Sequence, residues 1–168
     1  MNPLLHIPNT PFQTPPFSAI KNEHFLPAIQ ELIAQAKAEI QAVIDNPATA
    51  DFQNTIVDLE KSGKLLDRAS AIFFNLNSAE TNDEIQAIAR DVSPLLSEFS
   101  NDILLNEALF QRVKQVYDSI DHDDLKAEEQ MLLNKTYKGF VRNGAVLDEA
   151  QKGRLREIDV SLSKLTLE

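Results

Sequence analysis

From Phe25 onward, apolar residues return every three or four positions, and nowhere do they alternate. That spacing puts side chains on one face of a 3.6-residue helix, whereas a half-buried strand needs a period of two. The chain is therefore predicted to be all-α, an irregular bundle of about six antiparallel helices. The first carries Phe25, Ile29, Leu32, Ile33, Ala36, Ile40, Val43 and Ile44, with Pro27 in its first turn, where amides lack intrahelical partners. It is expected to stop near Asn46-Pro47. A second helix is expected from Asp51, a residue type that caps N-termini, to about Asn77, with Phe52, Ile56, Leu59, Leu66, Ala69, Phe73 and Leu76 inward. Gly63 falls inside that span. An interior glycine costs about 1 kcal/mol against alanine, so close packing on a neighbouring backbone is the expected reason for it.

Thr81 to Glu84 has capping-box spacing and opens a third helix, with Ile85, Ile88, Val92, Leu95, Phe99 and Ile103 inward and a kink expected at Pro94. Asn106 caps a fourth, bearing Leu109, Phe110, Val113, Val116, Tyr117 and Ile120. A fifth is expected from about Asp124 to Asn143, closed by Gly144, and a sixth from Asp148, with Leu155, Ile158, Leu162 and Leu165 inward. Five of the eight prolines lie in the first sixteen residues, and each removes a donor and extends its predecessor. Residues 1–20 are thus read as an extended Pro-rich arm, with Ile7, Phe12, Phe17 and Ile20 as its apolar feet on the helices. Residues 21–168 are read as one helical lobe.

A net charge of -10 argues against nucleic acid and against an anionic membrane surface, both of which select clustered Lys and Arg. The absence of cysteine removes disulfides and thiol chemistry. No basic start followed by an apolar run marks a signal peptide, and no apolar stretch reaches the roughly 18 residues of a membrane span. The expectation is a cytoplasmic protein without nucleic-acid or membrane partners.

Candidate chemistry is thin. Asp121-His122-Asp123-Asp124 clusters hard ligands, but a calcium loop needs oxygen at its fifth position, Gly at the sixth and Glu at the twelfth, where Leu125, Lys126 and Leu132 stand. A solvated turn favouring the next helix N-terminus is the reading taken. His24 reads as a cap or surface histidine. Arg68 with Asp67, and Arg90 with Asp91, read as surface ion pairs. Phe73-Phe74 is weighed as a peptide-binding wall and assigned to the core. The serines at 70, 78, 93, 97 and 100 lack a nucleophile elbow. Glu128 and Glu129 point to different sides of their helix and share neither proton nor metal. A two-histidine zinc helix needs imidazoles four residues apart, and His6, His24 and His122 are not so placed. Catalytic, cofactor-binding and metal-binding residues are all expected to be none.

Against this stands a resemblance. TPPFSAI at 14–20, NEHFLPAI at 22–29, FQNTI at 52–56 and LEKSGKLLDRASAIFFNLNSAETN at 59–82, followed by LLNEALFQRVKQVY at 104–117 and EEQMLLNKTYKGFVRNGAVLDEAQKGRLREID at 128–159, together resemble the N-terminal lobe of the thimet oligopeptidase family of zinc metallopeptidases. Within it, the opening MNPLL and the Pro/Phe arm look nearer to the peptidyl-dipeptidase branch than to the oligopeptidase A branch. The resemblance implies a helical lobe capping a deep channel, with zinc bound by an opposite lobe outside this chain and short peptides as substrates. The end at Leu165-Thr166-Leu167-Glu168 is read as a truncation, or Leu-Glu as a cloning remnant. The fragment itself is then inactive, with an apolar face left for the missing C-terminal catalytic lobe or for a dimer. The alternative is a stand-alone helical adaptor, or an oligomeric scaffold, that binds partner helices.

Overall fold

The computed structural model describes residues 2–121 and 124–165, the last-but-one of these, residue 164, by its backbone alone. The chain is all-α, and no strand occurs among the described residues. Six longer helices run Phe25–Ile44 (α1), Lys64–Ala79 (α3), Asp83–Leu104 (α4), Glu107–Ser119 (α5), Ala127–Arg142 (α6) and Glu149–Leu165 (α7). A one-turn helix, Asp58–Lys61 (α2), follows a π-helical turn at Phe52–Val57.

The packing divides the chain into two compact units. Unit 1 comprises Met1–Lys37, Gly63–Ser97 and Val160–Glu168. Its buried residues are apolar: Phe25, Ala28, Ile29 and Leu32 of α1, Leu66, Ala69, Ile72 and Phe73 of α3, and Ile85, Ala89 and Val92 of α4. The Phe25 and Phe73 rings meet at 5.0 Å, within the range where aromatic pairs add to plain area burial. The arm is anchored on this unit by Leu4, which is 3% exposed. Asn2 Nδ2 beside it donates to the His24 carbonyl at 2.7 Å.

Unit 2 comprises Ala38–Ser62 and Glu98–Asp159. Its core gathers Ile40, Val43 and Ile56 with Leu109, Phe110, Val113 and Val116 of α5 and Leu133 and Phe140 of α6. Tyr117 and Tyr137 stack at 4.0 Å beside it. Asp51 and Asn54 cap the π-helical turn reciprocally, each side chain accepting from the other's backbone N–H at 2.7 and 3.0 Å. Asn106 Oδ1 caps α5 by accepting from Leu109 N at 2.9 Å. Asp148 does the same for α7 from Gln151 N at 2.8 Å.

Several expectations are corrected. The helix from Asp51 to Asn77 is not continuous: Ser62 is extended and Gly63 takes φ +74, so the segment breaks there. A Cβ at Gly63 would meet only Ala36 Cβ at 3.5 Å, an ordinary contact. The left-handed backbone, not tight packing, is what asks for glycine. The cap of α4 is Asn82, whose Oδ1 accepts from Ile85 N at 2.9 Å, not Thr81. Helix α6 begins at Ala127 rather than Asp124, because Glu129 reaches back to accept from Lys126 N. The arm's feet mostly face outward: Ile7 and Phe17 are exposed and Phe12 is 99% exposed. Finally, α7 turns a different face inward. Lys152 is buried and Leu155 half-buried, while Ile158, Leu162 and Leu165 are 41%, 52% and 61% exposed.

Candidate functional site

Among the described residues, the buried polar or charged ones are Thr55, Asn101 and Lys152, and all three belong to unit 2. The most heavily bonded side chain is that of Arg112, on α5. Its guanidinium donates to the Asn46 carbonyl at 2.9 Å, to the Ala48 carbonyl at 3.4 Å and to Asn54 Oδ1 at 3.2 Å. This planar fork satisfies acceptors along the loop that joins α1 to the π-helical turn, which a lysine could not span. Thr55 Oγ1 lies 3.5 Å from the same group. Arg112 Nε itself finds no acceptor among the described residues.

Beside the clasp lies a shallow cleft of about 360 Å³, lined by Glu39, Ala42, Val43, Asn46, Asn54, Asp58, Lys61 and Ser62. Its polar groups are spent locally. Asn54 caps the turn and accepts from Arg112, Ser62 Oγ donates to the Asp58 carbonyl at 2.9 Å, and Lys61 Nζ lies 3.8 Å from Asp58 Oδ1. No lining side chain pairs a general base with a nucleophile, which covalent catalysis requires.

Lys152 is the buried cation. Its Nζ reaches Glu107 at 3.1 Å and Glu149 at 3.3 Å. Burial pulls its ammonium down, but the bonds to Glu107 and Glu149 outweigh that and hold it above the ordinary lysine range. Glu107 is held below the usual carboxylate range, first by the hydrogen bond from Gln111 and then by that from Lys152. The arrangement pins α7 to α5.

The residues singled out in the sequence are dispersed. His24 Nδ1 accepts from Lys21 N at 3.1 Å, a cap. Arg68 donates to the Gln13 carbonyl at 2.6 Å, bracing the arm. Arg90 and Asp91 are both exposed. Phe73 is fully buried, with Phe74 half-buried and edge-on to it at 5.1 Å, so neither forms an open wall. Asp121 and Asp124 are exposed, while His122 and Asp123 lie outside the described residues. No group of three His, Asp or Glu able to hold a metal occurs among the described residues. Arg112 and Lys152 were missed by sequence reasoning. Arg112 carries no local signal, whereas Lys152 stands three residues after Glu149 and one helical turn before Leu155, a spacing that hints at its inward position. No helix among the described residues is long and apolar enough to cross a membrane.

No family model matches the chain. Single relatives do. The chain is 40% identical over 164 residues to the dipeptidyl carboxypeptidase of Salmonella typhimurium, covering 98% of the chain and 24% of that protein. It is likewise 40% identical to the dipeptidyl carboxypeptidase of Escherichia coli over 166 residues, 99% of the chain and 24% of the relative. Oligopeptidase A of Salmonella typhimurium is 29% identical over 164 residues, again 98% of the chain and 24% of the relative. The chain thus spans about a quarter of the length of these relatives. Along almost all of its own length the chain is similar to one quarter of the dipeptidyl carboxypeptidases and oligopeptidases A, which is consistent with an N-terminal region of the thimet oligopeptidase family.

Proposed function

We propose that this chain is the N-terminal, channel-capping lobe of a zinc metallopeptidase that hydrolyses short peptides and releases C-terminal dipeptides. The observation that carries the reading is the 40% identity to two dipeptidyl carboxypeptidases across 98–99% of the chain, against 29% to oligopeptidase A. Zinc and the groups that polarise the scissile carbonyl are supplied by the part of such an enzyme outside this segment. The lobe limits which peptides reach the metal and performs no bond cleavage. Its partners in this reading are short peptides and the C-terminal catalytic lobe, in the cytoplasm, with neither nucleic acid nor a membrane involved. The exposed stripe of Ile158, Leu162 and Leu165, spaced i, i+4 and i+7 along α7, supports a covered face. The catalytic lobe covers it in the parent; a second copy of the fragment covers it when the fragment stands alone.

The same stripe is what favours the second reading, a helical adaptor that binds partner helices on its own. The reading frame beyond residue 168 separates the two. Continuation into an H-E-x-x-H helix is expected from the peptidase reading. A stop codon there, with tight binding of a partner helix by the purified chain, would replace it with the adaptor.

A further inference from the structure

Asn143-Gly144 ends α6 and takes part in no feature of the cleft, the clasp or the lysine pin. In an Asn-Gly pair the backbone amide nitrogen, with no Cβ beside it, can attack the preceding side-chain carboxamide. The fold holds those two groups apart. Asn143 Nδ2 donates to the Gly139 carbonyl at 2.8 Å, which turns the carboxamide back along α6. Gly144 takes φ +98, its N–H donates to the Val141 carbonyl at 3.4 Å, and Ala145 N closes the cap on the Phe140 carbonyl at 3.0 Å. Around Gly144 the space is filled: an added Cβ would lie 2.8 Å from Leu155 Cδ2, 3.0 Å from Leu147 Cδ1 and 3.2 Å from Leu105 Cδ2. Asn143 is exposed to water while Gly144 is buried, so one reactant is wetted and the other is clamped.

We propose that Asn143-Gly144 is a latched self-modification site, which deamidates only when the α6 cap opens and which then prevents the cap from re-forming. In the opened state the Gly144 nitrogen attacks Asn143 Cγ and gives up its proton. The Cγ–Nδ2 bond breaks, and the Nδ2 amide group leaves with that proton as ammonia. The five-membered imide that results is opened by water. Water added at Cγ breaks the Cγ–N bond, keeps the backbone link and leaves an aspartate; water added at the backbone carbonyl breaks that C–N bond instead, moves the link to the side chain and leaves an isoaspartate. Either product sets a carboxylate among the last carbonyls of α6, where the helix dipole disfavours negative charge. Neither can donate to the Gly139 carbonyl, and isoaspartate lengthens the backbone inside a cap that has no spare room. The latch operates whether or not the chain is part of a peptidase.

The test is the deamidation rate at position 143, followed by peptide mass spectrometry at mildly alkaline pH. The unfolded chain in denaturant is expected to react at least about tenfold faster than the native chain, because opening a packed segment is a rare event. D148A removes the α7 cap next to the joint, and is expected to raise the native rate about fivefold while leaving the denatured rate unchanged. The deamidated chain is expected to lose hydrogen-exchange protection at the Ala145 amide. Equal native and denatured rates, or a native rate indifferent to D148A, would overturn the latch. Undiminished protection at Ala145 in the deamidated chain would overturn the claim that the cap cannot re-form.

Discussion

The two units are stabilised by different means. Unit 1 buries apolar stripes from α1, α3 and α4, and none of the buried polar residues described falls in it. Unit 2 has a comparable apolar core but adds a guanidinium clasp, a buried lysine and a glycine cap. Burial of apolar area is non-directional and survives modest shifts, whereas a buried polar group costs free energy unless its partners stay in place. Unit 1 should therefore tolerate conservative change in its core, while unit 2 depends on a few particular atoms.

Unfolding free energies measured by denaturant put that contrast at risk, and the heaviest loss is expected in the core of unit 1. Phe73→Ala empties its centre and is expected to cost about 3–5 kcal/mol, with Phe73→Leu costing clearly less. Gly144→Ala in unit 2 combines the left-handed penalty of about 1–2 kcal/mol with a clash against Leu155. Gly63→Ala should show the backbone penalty alone, since only Ala36 Cβ stands near it. Equal costs at the two glycines would remove the packing part of the argument. Arg112→Ala should cost about 2 kcal/mol, from hydrogen bonds made by a charged donor, and Arg112→Lys should recover only part of it. A fully stable Arg112→Lys variant would reduce the clasp to a point charge.

The weakest response is to pH. Glu107 has its folded pKa depressed, so its contribution is present above the unfolded carboxylate value near pH 4 and is lost as pH falls through the lower folded value. Lys152 is raised, so its contribution is complete below about pH 10 and fades above it. Glu107 is largely solvent-exposed, which limits its effect to a fraction of a kcal/mol. Glu107→Gln should therefore flatten the acid limb of the stability curve slightly. An acid limb unchanged by that substitution would mean the pin adds nothing to stability.

The contrast also explains what the sequence could reveal. In unit 1 the buried Phe25, Ile29, Leu32, Phe73, Ile85 and Val92 lie on the periodic stripes and can be found by counting, whereas the buried Leu4, Ala28, Ile72 and Ala89 lie off the stripes read from the sequence. The caps at Asn106 and Asp148 and the left-handed Gly144 follow from local chemistry in the same way. Gly63 was visible as a residue but not as a break, because periodicity runs on across it with Leu59 and Leu66 in phase. The outward turn of Phe12 and of the α7 stripe was not legible, since periodicity gives a helix its apolar face but not the element that covers it. Arg112 was invisible for a related reason, its partners lying 57 to 66 residues away in sequence, and the tie from Lys152 to Glu107 spans 45, although Glu149 stands only three residues before Lys152.

The proposed function requires that these 168 residues, taken alone, cut no peptide. Incubating the purified chain with short peptides and zinc, with and without a chelator, and measuring released dipeptide decides the matter. No cleavage above background is expected in either condition. Release of dipeptide that the chelator abolishes would contradict the reading.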